Sequence, residues 1–261
     1  MDIVVCVKEA VDLDQVRIDD NSREPKLTGL PLEIEDLSKN AVEAAIQLRN
    51  QQGGRVVVLS AGGQTLKKTI KEVLAMGTDE ARLVVDARLA NADEATVATI
   101  LAKAVDKLGA FDLLLLGEGS IDNYAGQVAP KLSEILGVPG VTGVREISIE
   151  GGVARCTRDL EDCYEVVEVA LPAVVSVTNE INEPHLPSLT DILKAGKKPV
   201  QEWTASDLGL DDQGISTGKL VQRTRNIAPR VSRKGVVYEG SPEDVVKSLL
   251  DSLLKDGAIT R

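Results

Sequence analysis

Aromatic residues are scarce, making up 2% of the 261 residues, with one Phe, one Trp and three Tyr. The core must therefore be assembled from Val, Leu, Ile and Ala, side chains that suit strands buried on both faces of a parallel sheet. Histidine is scarcer still. The only one is His185, so no catalytic relay through a second imidazole can be built, and the HExxH zinc pattern is missing. The three cysteines, Cys6, Cys156 and Cys163, are odd in number and without CxxC spacing. Free thiols in a reducing, cytoplasmic setting are expected, not a disulfide framework. Positive charge is in deficit: 30 Lys and Arg face 41 Asp and Glu, a net charge of −11. This argues against a general nucleic-acid-binding surface, which must neutralise phosphates, and against attraction to an anionic membrane surface. Apolar runs fall short of the roughly 20 residues that span a bilayer, so an integral membrane protein is not expected. The opening MDIVVCVKEA reads as a first strand and not as a secretory leader.

What the chain does have is aliphatic runs alternating with helical periodicity. Strands are expected at residues 3–7, 55–59, 81–85 and 113–116, and helices over 36–51, 65–76, 93–108 and 125–136. This order implies an α/β fold with a doubly wound, mainly parallel sheet and helices on both faces. Beyond Gly140 short strands at 147–149, 153–157 and 164–169, then a buried strand at 171–177, give the sheet a mixed edge. A first domain is expected over 1–200 and a C-terminal arm over 201–261. The stretch 200–240 has little periodicity and carries Arg223, Arg225, Arg230 and Arg233. A last amphipathic helix is expected over 242–254, with Ser241 as its N-cap. The tail reads either as a linker or as an arm lying on another subunit, with Val236, Val237, Val245, Leu249 and Leu253 as its apolar faces.

The strongest local signal is GEGSIDNYAGQV at 117–128, which leaves a strand and runs into a helix. In an open parallel sheet ligands collect at the carboxyl ends of strands, near the switch point, where a helix N-terminus offers amide hydrogens to a phosphate. Gly117 and Gly119 allow close approach, Ala125 and Gly126 keep the first helical turn open, and Gln127 can donate a side-chain hydrogen bond. The competing reading is an ordinary strand-to-helix loop with an Asp cap. Two more strand ends should lie beside it, Cys6-Val7-Lys8 and Ser60-Ala61-Gly62-Gly63. None matches a dinucleotide or P-loop fingerprint. The acidic cluster of Asp12, Asp14, Asp19 and Asp20 has irregular spacing and reads as a solvated loop more than a metal site. His185 is expected to be exposed, and Cys156 and Cys163 to be structural.

Taken together, these residues resemble the β subunit of electron transfer flavoproteins nearly end to end. The start IVVCVKEAVD at 3–12, the segments AVEAA (41–45), SAGG (60–63) and LAMGTD (74–79), and the loop at 117–127 carry part of the likeness. The most specific stretch is LPAVVSVTNEINEPHLPSLTDILKAGKK at 171–198.

The resemblance implies an adenine-nucleotide alpha-hydrolase-like sheet and an αβ heterodimer in which the partner α subunit holds most of a redox FAD. It implies AMP, or the adenosine part of a second FAD, in this chain. Nucleotide contacts carried over would be Cys6, Val7 and Lys8; Glu35, Asp36, Leu37 and Ser38; Ala61 and Gly62; and Gly117, Glu118, Gly119, Ser120, Ile121, Asp122, Asn123, Tyr124, Ala125, Gly126, Gln127 and Val128. Leu186 and Leu189, flanked by Lys194 and Lys197, would dock flavin-dependent dehydrogenases. Leu189 also reads, on its own, as a helix-capping hydrophobe. The chain departs from the family at Glu35-Asp36, where many members have Asn-Pro, and at Tyr124, where both loop variants carry an acid. AMP and a second FAD therefore both stay open, as does bifurcation of electrons from NADH. A different class, an enzyme or ATP-sensing module of the ATP-pyrophosphatase or universal-stress kind, would share the sheet and its glycine-bearing strand ends.

Overall fold

The computed structural model describes residues 1–211, 215, 220–230 and 233–260, without the side chains of residues 90 and 91. Parts of the expected arm therefore lie outside the described residues.

The first strand, β1 (Asp2–Cys6), is followed by four short strands: β2 (Glu9–Val11), β3 (Arg17–Ile18), β4 (Pro25–Lys26) and β5 (Leu32–Ile34). These pair as two small antiparallel ribbons, β2 with β5 and β3 with β4. Then come α1 (Asp36–Gln52), β6 (Arg55–Gly62), α2 (Leu66–Ala75), β7 (Glu80–Val85), α3 (Glu94–Leu108), β8 (Leu113–Gly117) and α4 (Val128–Leu136). The last part of the main sheet is built by β9 (Gly140–Glu150), β10 (Val153–Asp159), β11 (Tyr164–Ala170), β12 (Ala173–Val177) and, after α5 (Leu189–Ala195), β13 (Val200–Trp203). The strand order is β11-β10-β9-β12-β8-β1-β6-β7-β13. Its pairs are parallel except where β10 meets β9 and β11.

The alternation of side chains across the sheet explains its two layers of helices. Ile3 and Val5 of β1, with Leu113 and Leu115 of β8, meet α1 and α2 through Val42, Ala45, Ile70 and Leu74. Val4 and Cys6, with Leu114 and Leu116, meet α3 and α4 through Leu101, Val105 and Leu132. Both faces are covered, so the strands read as unbroken aliphatic runs. Helix ends follow local chemistry. Asp93 caps α3 by accepting from the Thr96 amide at 2.9 Å. Gly137 stops α4 in a left-handed conformation, φ 66°, which costs glycine nothing.

The doubly wound sheet and the expected helices are present. Two elements extend the sequence reading. The strand expected at 147–149 begins at Gly140, because Gly140 and Val141 pair with Val174 and Val175 of β12. β13 was not expected, yet it pairs in parallel with β7 at the sheet edge. It places Trp203 in the second core, with Leu208, Leu210 and Ile215 behind it. The first compact unit consequently runs to Asn226, and the second comprises Ile227–Arg261; the sequence reading puts the boundary at 200. Within the second unit, α6 (Pro242–Lys255) starts at Ser241, whose hydroxyl accepts from the Asp244 amide at 3.3 Å. Cys156 is buried in β10, but Cys163 is exposed in the turn before β11, so only the first has the packing role expected of both.

Trp203 is the only tryptophan and reports directly on β13. Its fluorescence should be that of a buried indole and shift red on unfolding. Trp203→Ala should cost about 3–5 kcal/mol in a denaturant titration. Emission of a solvated indole in the native protein would contradict the placement of β13.

Candidate functional site

The winding of the sheet reverses at β1. From β1 the chain passes to β6 and β7 on one side, then returns across to β8 on the other. The carboxyl ends of β1 and β8 therefore lie at the switch point, where open α/β sheets form the crevice that binds ligands.

Three expected segments meet there. At the end of β1, the Lys8 amide donates to Ser38 Oγ at 3.0 Å, and the Lys8 carbonyl accepts from the Glu35 amide at 3.1 Å. The Lys8 ammonium crosses to the loop after β8. It donates to Ser120 Oγ at 2.8 Å and to both Asp122 oxygens at 2.7 and 2.8 Å. Burial opposes the Asp122 charge, yet the bonds from Lys8 and Ser120 prevail and hold its carboxyl below the usual range. From the other side, Ser60 Oγ of β6 donates to the Val7 carbonyl at 2.7 Å, which brings Ala61 and Gly62 alongside. Cys6 points into the core, where burial pushes its thiol up to about 12 and makes it inert.

The loop is shaped by close approach. A Cβ on Gly117 would lie 2.7 Å from Leu37 Cβ and 3.0 Å from the Leu37 carbonyl carbon, so α1 starts directly against the end of β8. A Cβ on Gly119 would meet the Tyr124 ring at 2.9 Å. Tyr124 itself is held at φ 44°, a backbone region costly for a bulky residue. Its hydroxyl donates to Glu118 Oε2 at 3.3 Å. Burial and then the Glu118 charge raise the phenol's pKa. Asn123 extends the other way, from its side-chain amide to Glu94 Oε1 at 2.9 Å.

The expected helix start is corrected here. Positive φ at Tyr124 and Gly126 interrupts the backbone, so α4 begins at Val128, and Ala125 and Gly126 belong to the loop. Gln127 sits at the N-cap but makes no side-chain cap bond. Pro130 has no N–H, leaving the first-turn amides of Val128 and Ala129 without a side-chain partner. Other helices at this edge are supplied with carboxylates. Glu35 takes the Leu37 and Ser38 amides of α1 at 3.1 and 2.7 Å. Asp93 caps α3, whereas at α2 Glu9 accepts only from the Thr65 and Thr69 hydroxyls and no side chain caps the helix amides. Among the described residues, α4 starts without a side-chain cap, and its positive end follows directly on the Lys8-braced loop, where it can face an anion. On β12 beside it, in register with Leu116 of β8, Ser176 buries a hydroxyl without a partner.

The Glu35–Ser38 segment is placed at the crevice, but its side chains are already engaged. The Glu35 carboxylate is buried and occupied by Leu37 and Ser38, while burial raises its pKa against those bonds. Asp36 faces Lys39 in solvent.

The expected docking residues lie on and around α5, with Leu186 before it and Lys197 after it, and α5 packs against α2. Leu186 is 92% and Leu189 82% exposed, so Leu189 is no capping hydrophobe tucked under its helix. Ser188 and Asp191 form the capping box instead. Ile192 and Leu193 are also exposed and extend the apolar face; spacing at 189, 192 and 193 was the signal for them. His185, exposed as expected, contacts Glu43 of α1. Asp12 and Asp19 accept from amides of their own turns. No described helix is long and apolar enough to cross a membrane.

Fold and site together define a doubly wound α/β protein with a lysine-braced loop and an open helix start at its switch point. The signature of the electron transfer flavoprotein domain matches residues 28–208. The electron transfer flavoprotein subunit beta of Thermoanaerobacterium thermosaccharolyticum is 36% identical over 255 residues, covering 97% of this chain and 98% of that protein. The chain belongs to the electron transfer flavoprotein family.

Gly117→Ala should be the more damaging of two glycine substitutions. Its neighbour is backbone, which has to move, at an overpacking cost of about 1–3 kcal/mol. At Gly119 an exposed Tyr124 ring can swing aside. Chemical denaturation of both variants checks this; equal losses would contradict the close α1 approach.

Proposed function

We propose that this chain is the β subunit of a heterodimeric electron transfer flavoprotein, carrying electrons between flavin-dependent dehydrogenases and an acceptor. The α subunit holds most of the redox FAD. The crevice above β1 and β8 takes an adenosine phosphate, either AMP or the adenosine part of a second FAD.

One observation carries the nucleotide part: Lys8, at the end of β1, braces the loop that leads into α4, a helix that starts without a side-chain cap. The residues fit the ligand. Gly117 and Gly119 keep the loop close to the strand ends, and the amides of Val128 and Ala129 offer hydrogen bonds to a phosphate. Because Asp122 balances Lys8, the grip on the anion comes from amides more than from net positive charge. This suits one or two phosphates better than a polyphosphate chain. The family's FAD, when bound, supplies the electron-carrying ring. What this chain contributes is binding and position: Lys8 orders the loop, Glu35 fixes α1 beneath it, and the second unit's apolar residues, among them Val237 and Val246, are offered to the α subunit. Leu186 and Leu189 supply a small aliphatic hot spot for a dehydrogenase, flanked by Lys194 and Lys197. An ATP-hydrolysing relative would have little reason to match a β subunit along 97% of its length.

Co-expression with its α subunit should give a yellow heterodimer, and counting flavin and AMP per heterodimer separates one FAD plus AMP from two FAD. In that complex Leu189→Ala should slow reduction by a cognate dehydrogenase by roughly tenfold or more, with flavin content unchanged. A colourless complex would contradict the reading, and equal loss of flavin would contradict the docking role.

A further inference from the structure

Asp93 has two tasks, one for each carboxylate oxygen. Oδ1 caps α3, accepting from the Thr96 amide at 2.9 Å and the Thr96 hydroxyl at 2.7 Å. Oδ2 reaches far along the chain and accepts from the consecutive amides of Leu220 and Val221 at 2.6 and 2.9 Å. Asp93 is 9% exposed. Burial opposes its charge, but the bonds from Thr96, Val221 and Leu220 more than offset that and hold the carboxyl down at about 2.

Among the described residues, little else fastens residues 220 and 221. Their side chains are 76% and 59% exposed, so apolar burial does not fasten them, and neither residue belongs to a helix or strand. The next ion pair along the segment, Arg225 with Glu24 at 3.3 Å, is between exposed groups and contributes little. Charge-assisted bonds to a buried carboxylate are the stronger fastener. One residue further on, Glu94 accepts from Asn123 of the nucleotide loop at 2.9 Å, and Asn123 is one residue from Asp122, which holds Lys8.

We infer that Asp93 is a positioning residue: it clamps the backbone at Leu220–Val221 to the start of α3, and the Glu94–Asn123 bond ties that clamp to the loop at the switch point. The segment leading towards the second unit is thereby held by the element that borders the ligand crevice. A ligand that orders the loop also steadies the clamp. The clamp stands independently, whereas its coupling to a ligand rests on the nucleotide reading above.

Asp93→Ser separates the two tasks. Serine is a good N-cap but has no second oxygen to reach residue 220. Amide hydrogen exchange on the complex with the α subunit is the readout. In the Asp93→Ser variant the Leu220 and Val221 amides should exchange at least about tenfold faster, while those of α3 keep their protection. Restoring the second oxygen with Asp93→Glu should recover part of the protection. Unchanged exchange at 220 and 221 in Asp93→Ser would overturn the clamp. Adding AMP to the nucleotide-free complex should slow exchange at these two amides in the native protein, and Glu94→Ala should weaken that effect. AMP that binds by calorimetry yet leaves 220 and 221 unchanged would overturn the coupling alone. AMP that does not bind would overturn the nucleotide reading and the coupling with it, leaving the clamp to be decided by Asp93→Ser.

Discussion

Strand β1 lies at the centre of a sheet buried on both faces, with β6 on one side and β8 on the other, and its winding reverses there. Everything at the site follows from that constraint. A parallel strand needs a long crossover to reach its neighbour; α1 leads from β1 to β6 over one face, and α3 returns the chain from β7 to β8 over the other. The residues that emerge above β1 and β8 satisfy one another across the switch point. Lys8 does so by bonding Ser120 and Asp122 across the crevice, which turns a glycine-bearing loop into a fixed rim.

The electrostatics follow the same logic. A protein with net charge −11 spends two carboxylates at this edge on helix starts: Glu35 at α1 and Asp93 at α3. Each satisfies positive helix ends and removes them as anion sites. The start of α4 is not treated so, because the left-handed turn at Tyr124 and Gly126 carries the chain into the helix with Gln127 and no acid at the cap. An acidic protein can thus offer one place to a phosphate without a basic patch.

Much of the fold was legible because the signal is local. Ile3, Val5, Leu113 and Leu115 alternate with Val4, Cys6, Leu114 and Leu116 in runs too aliphatic for anything but strands covered twice. Asp93 and Gly137 mark helix ends by side-chain and backbone chemistry that does not depend on the rest of the chain. β13 was not legible: the four residues Val200–Trp203 have no periodicity, and only pairing with β7 makes them a strand. The start of α4 was misread by three residues, since nothing in Tyr124 announces a left-handed backbone. At the site, the loop and both flanking strand ends could be named from composition and family likeness. The use of Glu35 as a buried cap could not, because Glu is an uncommon N-cap. Nor could the link from Asp93 to Leu220, which joins positions 127 apart in sequence.

The central claim is that an adenosine phosphate binds at the crevice above β1 and β8, held by the loop that Lys8 braces. Amide chemical-shift mapping during titration with AMP tests it most directly. The account predicts that the large shifts fall on Gly117, Gly119, Ser120, Val128 and Ala129, with α5 silent. Shifts centred on Gly62, Gly63 and the start of α2, or on α5, would contradict it.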